Sequence, residues 1–376
     1  MADKSSDERA RRTRTALTNV RVFDGQKLSD PTQIVIDSAT ISAPSGGETE
    51  IDCTGSILLP GLIDAHVHLH EHANLEQFAT FGVTTALDMG SWPPAFVDSM
   101  RRQPGLTDIR SAGGSATSPG STHSKIPDFP NDGILSGPDA AERFVADRIA
   151  QGSDYIKIIA DIPGPDQATL SALVSAAHEH GKIVITHAAS HASYSMGVAA
   201  GSDILTHVPL DRPLDEEVVS QMVDNGQVSV PTLSMMEGII TKLIAAGIAA
   251  EPGAVVSKGP AYANARDSVS ELYARGVPVL AGTDANAAPF APAAISHGES
   301  LHHELELLVG AGVSAVDTLL AATALPAKHF GLADRGHIAP GLRADLVLVG
   351  GDPLREITMT RHIERVWCGG VEFSTH

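Results

Sequence analysis

Leu58-Leu59-Pro60-Gly61-Leu62-Ile63-Asp64-Ala65-His66-Val67-His68 is an apolar run that ends by presenting two histidines with one residue between them. In a strand, side chains two positions apart leave the same face. Both imidazoles can therefore reach one metal ion, which nitrogen ligands hold at about 2.0 to 2.1 Å when the ion is zinc. Read alone, the same residues equally describe two partly buried histidines at a strand end. Further ligand candidates downstream decide between the two readings.

Outward from that run, β-branched segments alternate with helix-like segments rich in Ala, Leu and Glu, the rhythm of parallel βα units. Strands are expected near 57–65, 82–89, 107–112, 154–160, 182–187, 203–208, 227–232 and 277–284. Helices are expected near 138–151, 166–180, 191–200, 214–225, 235–247, 260–275, 299–311 and 314–327. Eight strands so spaced predict an α/β fold of the (β/α)8 TIM-barrel type, whose chemistry sits at the C-terminal strand ends. The flanks, 16–24, 33–37, 49–52, 344–349 and 363–373, read as short strands too few for separate cores. They predict one small β-sandwich domain built from both chain termini. The expected division is a flexible tail over 1–15, β-domain over 16–56 and 338–376, and barrel over 57–337. Residues 113–136, rich in Gly, Ser and Pro, form the longest irregular segment of the barrel, and such loops tend to carry function.

Composition excludes several classes. Lys plus Arg number 26 against 45 Asp plus Glu, a net charge of −19 that repels nucleic acid and anionic membrane. No run of about twenty apolar residues occurs and the N-terminus lacks a secretory core, so a soluble, cytoplasmic protein is expected. Cys53 and Cys368 lie in no metal-like spacing and read as core residues of a reducing compartment. Arg9, Arg11, Arg12 and Arg14 read as a solvated tail. A small molecule is the expected partner, and association of identical copies stays open.

Four more residues carry chemistry. Lys157 lies inside the apolar strand Tyr155-Ile156-Lys157-Ile158-Ile159, where a bare ammonium is costly unless paired. One reading is a salt bridge to a neighbouring carboxylate; the other is a depressed pKa, capture of carbon dioxide and a carbamate that bridges two metals. His187, His207 and Asp284 each close a different expected strand, at the edge where barrel active sites are built. Five such ligands and a modified lysine suit zinc better than manganese, iron or cobalt.

With these residues in hand, the chain resembles the metal-dependent amidohydrolase superfamily over nearly its whole length. The resemblance rests on Thr18-Asn19-Val20-Arg21-Val22-Phe23-Asp24-Gly25, the Pro-Gly-Leu-Ile-Asp-Ala-His-Val-His run, Gly82-Val83-Thr84-Thr85, Gly282-Thr283-Asp284 and Pro340-Gly341-Leu342-Arg343-Ala344-Asp345-Leu346. Tyr-Ile-Lys-Ile on the presumed fourth strand is most similar to the branch of imidazolonepropionase-related proteins and prolidase-like carboxypeptidases. The resemblance implies two divalent metal ions: His66, His68 and Asp284 hold one, His187 and His207 the other, and carboxylated Lys157 bridges them. It further implies a hydroxide generated between the cations, Asp284 as general base and acid, and His123 on the long loop as a catalytic group that stabilises the oxyanion.

The implied activity is hydrolysis of an amide, in an N-acyl amino acid, a dipeptide or an aryl amide. The same site would serve a lactonase, an ester hydrolase or a cyclic-amide hydrolase, because fold and metal do not fix substrate. A catalytically silent scaffold is the reading from another class. Departures from the branch are Ala189 where a second histidine or tyrosine is common, with His191 and Tyr194 further on, and a short connection over 69–81. That connection predicts an open pocket for a bulky group, with Val230-Pro231-Thr232-Leu233, Met235 and Met236 as lining, although a methionine pair opening a helix is more often core. His70, His72, His297, His302 and His303 read as loop, surface or helix-end residues, with His297 nearest to a pocket role.

Overall fold

The computed structural model describes residues 14–44, 46–247 and 260–374. Arg9, Arg11 and Arg12 lie outside the described residues. Arg14 does not belong to a loose tail: the first strand, β1 (Arg14–Val22), starts there, Arg14 pairing with Asp37 and Thr15 with Ile36 across the sheet.

β1 is central to a mixed sheet that both flanks build. Its other members are β2 (Thr32–Asp37), β3 (Thr40–Ser42), β4 (Thr49–Asp52), β5 (Ser56–Pro60), β13 (Leu346–Gly350), β14 (Ile363–Cys368) and β15 (Val371–Phe373). The order is β15-β14-β13-β5-β1-β2-β3, with β4 paired to β1. The two chain flanks meet where Leu346 opposes Pro60 and Gly350 opposes Ser56. Leu17, Leu58, Leu346 and Trp367 form its buried face, each aliphatic side chain contributing about 1.5 to 3 kcal/mol on leaving water.

The expected strand 57–65 is therefore two strands. β5 belongs to the terminal sheet, and after Gly61 the chain continues as β6 (Leu62–Val67) in a parallel sheet. Gly61 makes the junction because its backbone lies against another strand: a Cβ there would sit 2.1 Å from Thr84 Oγ1. Its N–H donates to the Asp345 carbonyl at 2.7 Å, tying the two sheets together.

β6 pairs with β7 (Val83–Asp88), which pairs with β8 (Asp108–Ser111). A second parallel sheet contains β9 (Ile156–Ile159), β10 (Val184–His187), β11 (Ile204–Thr206) and β12 (Val228–Val230). The two are linked on one side by Ala116 bridging Ile158, and on the other by Val279 bridging Ser229 and Ala285 bridging Val67. The expected eighth strand, 277–284, is thus irregular chain with an isolated bridge at Val279 and another just beyond it at Ala285 rather than a regular strand. Pro278 offers no N–H, and Gly282 packs so closely that a Cβ would lie 2.5 Å from Val230 and 2.9 Å from the His66 nitrogen. Nearly every residue of these strands is buried on both faces, as parallel sheets covered by helices require.

Helices over Ala141–Ala150, Gln167–Glu179, His191–Ala200, Glu216–Asn225, Leu233–Ala245, Tyr262–Ala274 and Glu299–Gly310 lie where expected. The helix expected at 314–327 is broken into Ala315–Ala321 and Ala324–His329. At the break the carbonyls of Ala321 and Ala322 accept from Ala281 and Ile63 instead of from their own helix. The 69–81 connection is not bare: it holds a helix, Ala73–Thr80, whose Leu75, Phe78 and Ala79 are buried. No helix among the described residues is long and apolar enough to cross a membrane.

Candidate metal centre

The C-terminal ends of β6, β9, β10 and β11 and the 277–284 segment converge on one cluster. His66 and His68 leave the same side of β6, and one donor atom each from His66, His68 and Asp284 lies within 4.8 Å of the others. Asp284 Oδ1 stands 3.2 Å from His68 Nε2 and 3.6 Å from His66 Nε2. Asp64 pins the two segments that carry them: its carboxylate accepts from the His66 N–H at 3.2 Å, the Thr283 N–H at 3.1 Å and the Thr283 hydroxyl at 2.7 Å.

The remaining histidines continue the cluster. Ring centroids lie 4.9 Å apart for His66 and His207, 4.4 Å for His207 and His187, and 4.8 Å for His187 and His123. A second three-donor group contains His123, Asp161 and His187, again within 4.8 Å. His123 Nδ1 lies 2.7 Å from Asp161 Oδ2, which also accepts from the His123 backbone, and His187 Nε2 is 3.6 Å from Asp161 Oδ1. Non-glycine residues with left-handed backbone gather here, at His207 (φ 70°), Thr232 (φ 49°) and Asp284 (φ 57°). Such conformations cost about 1 to 3 kcal/mol each and persist where the surroundings over-determine them.

Lys157 is 3% exposed between these groups. Its Nζ donates to Thr206 Oγ1 at 2.8 Å, and it makes no ion pair among the described residues, so the salt-bridge reading finds no partner. Burial pulls its pKa down to about 7. Burial likewise holds His66 and His207 neutral, well below the usual imidazole range, and brings His187 down to about 4. His68 is the exception: burial opposes its charge, but the Asp284 carboxylate beside it raises the pKa. Burial works to raise the Asp161 pKa, yet hydrogen bonds from His123 and His187 hold it well below the usual carboxylate range.

Neutral imidazoles and ionised carboxylates are the protonation states that bind a cation. His66 Nδ1 and Asp284 Oδ1 are buried with no hydrogen-bond partner; leaving such atoms unmet costs about 1 to 3 kcal/mol each, and a divalent ion beside them would engage the carboxylate. The donor set, imidazole and carboxylate, fits zinc-type chemistry.

Asp161 was not among the candidates read from the sequence. It lies four residues after Lys157, in phase with it on the two-residue repeat of a strand, and that parity is the signal that could have found it. Thr232, expected only as pocket lining, is a member of the cluster: its hydroxyl meets His207 Nδ1 at 2.7 Å. Thr232 precedes a helix whose first N–H groups are held by Glu304, a buried carboxylate accepting from Leu233 and Ser234.

Other histidines fall outside the cluster. His297 Nε2 contacts the His68 carbonyl at 2.8 Å and His70 Nε2 contacts Asn286 at 2.9 Å, both flanking it. His191 is buried against Arg212 and Asp215, Tyr194 bonds Ser229 in the core, and His302 bridges Thr360 and the Phe81 carbonyl. Met235 and Met236, read as pocket lining, are core residues, each 1% exposed.

Comparison with known proteins accords with this arrangement. The amidohydrolase family matches residues 57–372. A stretch of 102 residues is 33% identical to a dihydroorotase of Wolbachia sp. subsp. Drosophila simulans, covering 23% of either chain. Another of 71 residues is 39% identical to an adenine deaminase 2 of Desulfotalea psychrophila, over 19% of this chain and 11% of that protein. The matches thus span under a quarter of each relative. A Xaa-Pro dipeptidase with bound methionine superposes with a TM-score of 0.81 at 24% identity, over 96% of this chain and all of its own. Molinate hydrolase superposes at 0.76 and 18%, over 96% and 95%. At those identities the likeness is one of fold. The family match extends from the strand before His66 to the last strands of the terminal sheet, and by it this chain belongs to the amidohydrolase family.

Proposed function

We propose that the protein is a binuclear metal-dependent hydrolase that cleaves an amide bond in a small molecule. On this reading the parallel segments close into a (β/α)8 barrel, with His66, His68 and Asp284 holding one cation and His187 and His207 the other. Lys157 would join them as a carbamate: its neutral amine bonds to the carbon of carbon dioxide and loses one proton. A pKa brought down to about 7 supports this by supplying that neutral amine near neutral pH. When bound, zinc-type cations would supply Lewis acidity, polarising a carbonyl and acidifying water.

The chain's own residues complete the chemistry. Asp284 Oδ1, buried and free of hydrogen bonds, is placed to take a proton and return it to the leaving nitrogen. His123 is oriented through Nδ1 by Asp161, which leaves Nε2 as the nitrogen that a protonated ring would offer to a developing oxyanion. Thr232 fixes one nitrogen of His207 in the same way. The observation that carries the reading is the donor group His66, His68 and Asp284 at the end of one parallel sheet. A dipeptide is one substrate that the dipeptidase likeness supports, beside N-acyl amino acids and aryl amides.

The test pairs elemental analysis with a hydrolysis screen over dipeptides, acyl amino acids, aryl amides, esters and lactones. About two zinc-type ions per chain and turnover of an amide are expected. Turnover confined to esters or lactones would replace the amide reading, and metal-free protein with no turnover would establish a scaffold.

A further inference from the structure

At the opposite ends of the parallel strands, a cavity of about 510 Å³ opens between β8 and the terminal sheet. Its wall carries five arginines, Arg101, Arg102, Arg110, Arg335 and Arg343, against three aspartates, Asp108, Asp154 and Asp334. Asp345 stands behind the wall, bound to Arg343 and Arg335. The excess stays positive even with Asp345 counted, in a chain whose net charge is −19.

The two signs are not used equally. Asp334 gives both oxygens to Arg335, Asp108 binds Arg110 and Arg335, and Asp154 binds Arg101 and the Ser111 N–H. Arg335 has four of its five N–H groups engaged, its Nη1 also donating to Thr85. Besides Nη1 of Arg101, three arginines keep donors in hand. Arg343 bonds Asp345 through Nε, leaving both Nη groups; Arg110 uses only Nη1, leaving Nε and Nη2. Arg102 makes no ion pair or hydrogen bond among the described residues. Gly369 makes room for the Arg343 fork, since a Cβ there would lie 2.7 Å from Nη2.

We propose that this cavity binds a compact multivalent oxyanion, a phosphate or a dicarboxylate, through Arg102, Arg110 and Arg343. A planar guanidinium with two free N–H groups matches a carboxylate or phosphate edge in bidentate fashion. The surrounding field repels anions, so a local positive cavity is the place where one is held selectively. The site is separate from the histidine cluster, which lies at the other strand ends.

Calorimetric titration with inorganic phosphate and, separately, with glutarate tests this and tells the two oxyanion types apart. One saturable site per chain is expected for at least one of them, weakened at least tenfold in Arg102→Ala/Arg110→Gln and weakened less in Arg102→Lys, which keeps the charge but not the fork. Arg102→Glu, a change at an exposed side chain, supplies a second variant that should abolish binding without touching the core. No saturable binding of either anion would overturn the proposal. So would equal binding by wild type, Arg102→Ala/Arg110→Gln and Arg102→Glu, which would place the anion elsewhere, including at the histidine cluster.

Discussion

Replacing Glu304 with glutamine tests how the buried frame supports the cluster. Glu304 is fully buried and accepts three hydrogen bonds, from Leu233 N–H at 2.8 Å, Ser234 N–H at 2.7 Å and the Ser234 hydroxyl at 2.8 Å. Glutamine keeps the shape but turns one acceptor into a donor. Since Oε2 takes both Ser234 bonds, the amide forfeits at least one bond that the ionised carboxylate makes, for about 1 to 3 kcal/mol, whereas the protonated acid carries a donor of its own. Burial also raises the Glu304 pKa from 4.5 to about 7. The folded state then binds the proton more tightly than the unfolded chain, so its contribution to stability is full below pH 4.5 and declines as pH rises to about 7. At 1.36 kcal/mol per pKa unit that decline amounts to about 3 kcal/mol. Glutamine has no such dependence. Relative to the wild type, Glu304→Gln is therefore expected to gain about 2 to 3 kcal/mol between pH 5 and pH 8. Urea unfolding at the two pH values reads the difference directly. An equal loss at both, or a greater loss at pH 8, would refute the burial argument.

Three further outcomes follow from the geometry. Asp284→Asn should lower kcat by at least a hundredfold with little change in urea midpoint, measured on the best amide of the screen, because it removes a proton acceptor and a charged donor. Asp161→Asn should lower kcat about tenfold or more on the same amide, with little change in urea midpoint, since the His123 ring loses the partner at 2.7 Å that orients it. Gly61→Ala should destabilise by about 1 to 3 kcal/mol in thermal or urea unfolding, because the added Cβ would sit 2.1 Å from Thr84 Oγ1.

What the sequence revealed and what it hid have physical reasons. Strand-end histidines were legible because a two-residue repeat fixes which side chains share a face, as His66 and His68 do. Lys157 was legible because an ammonium in an apolar run contradicts its surroundings. Asp161 was hidden because an aspartate just past a strand looks like ordinary turn chemistry; only its contacts with His123 and His187, 38 and 26 positions away, separate it. The helix over Ala73–Thr80 leaves only a short trace in the sequence, Leu75, Phe78 and Ala79 at helical spacing, within a connection of a length that a bare loop could also fill. The split at Gly61 was hidden in an unbroken apolar run, since burial in one sheet or another gives the same pattern. Residues 277–284 are strand-like in composition, but Pro278 and the close approach at Gly282 interrupt the ladder.

The meeting of Leu346 with Pro60 has a consequence for how the chain is made. A ribosome releases residues 56–60 long before their antiparallel neighbour, which follows about 290 positions later, so this pairing has one of the largest loop closures in the molecule. Until then the edge of β5 is open, and the junction at Gly61 lacks the Asp345 carbonyl that later accepts its N–H. The nascent chain therefore carries its histidine-bearing strand beside an unfinished sheet edge, the kind of surface that chaperones cover and that pairs wrongly between copies.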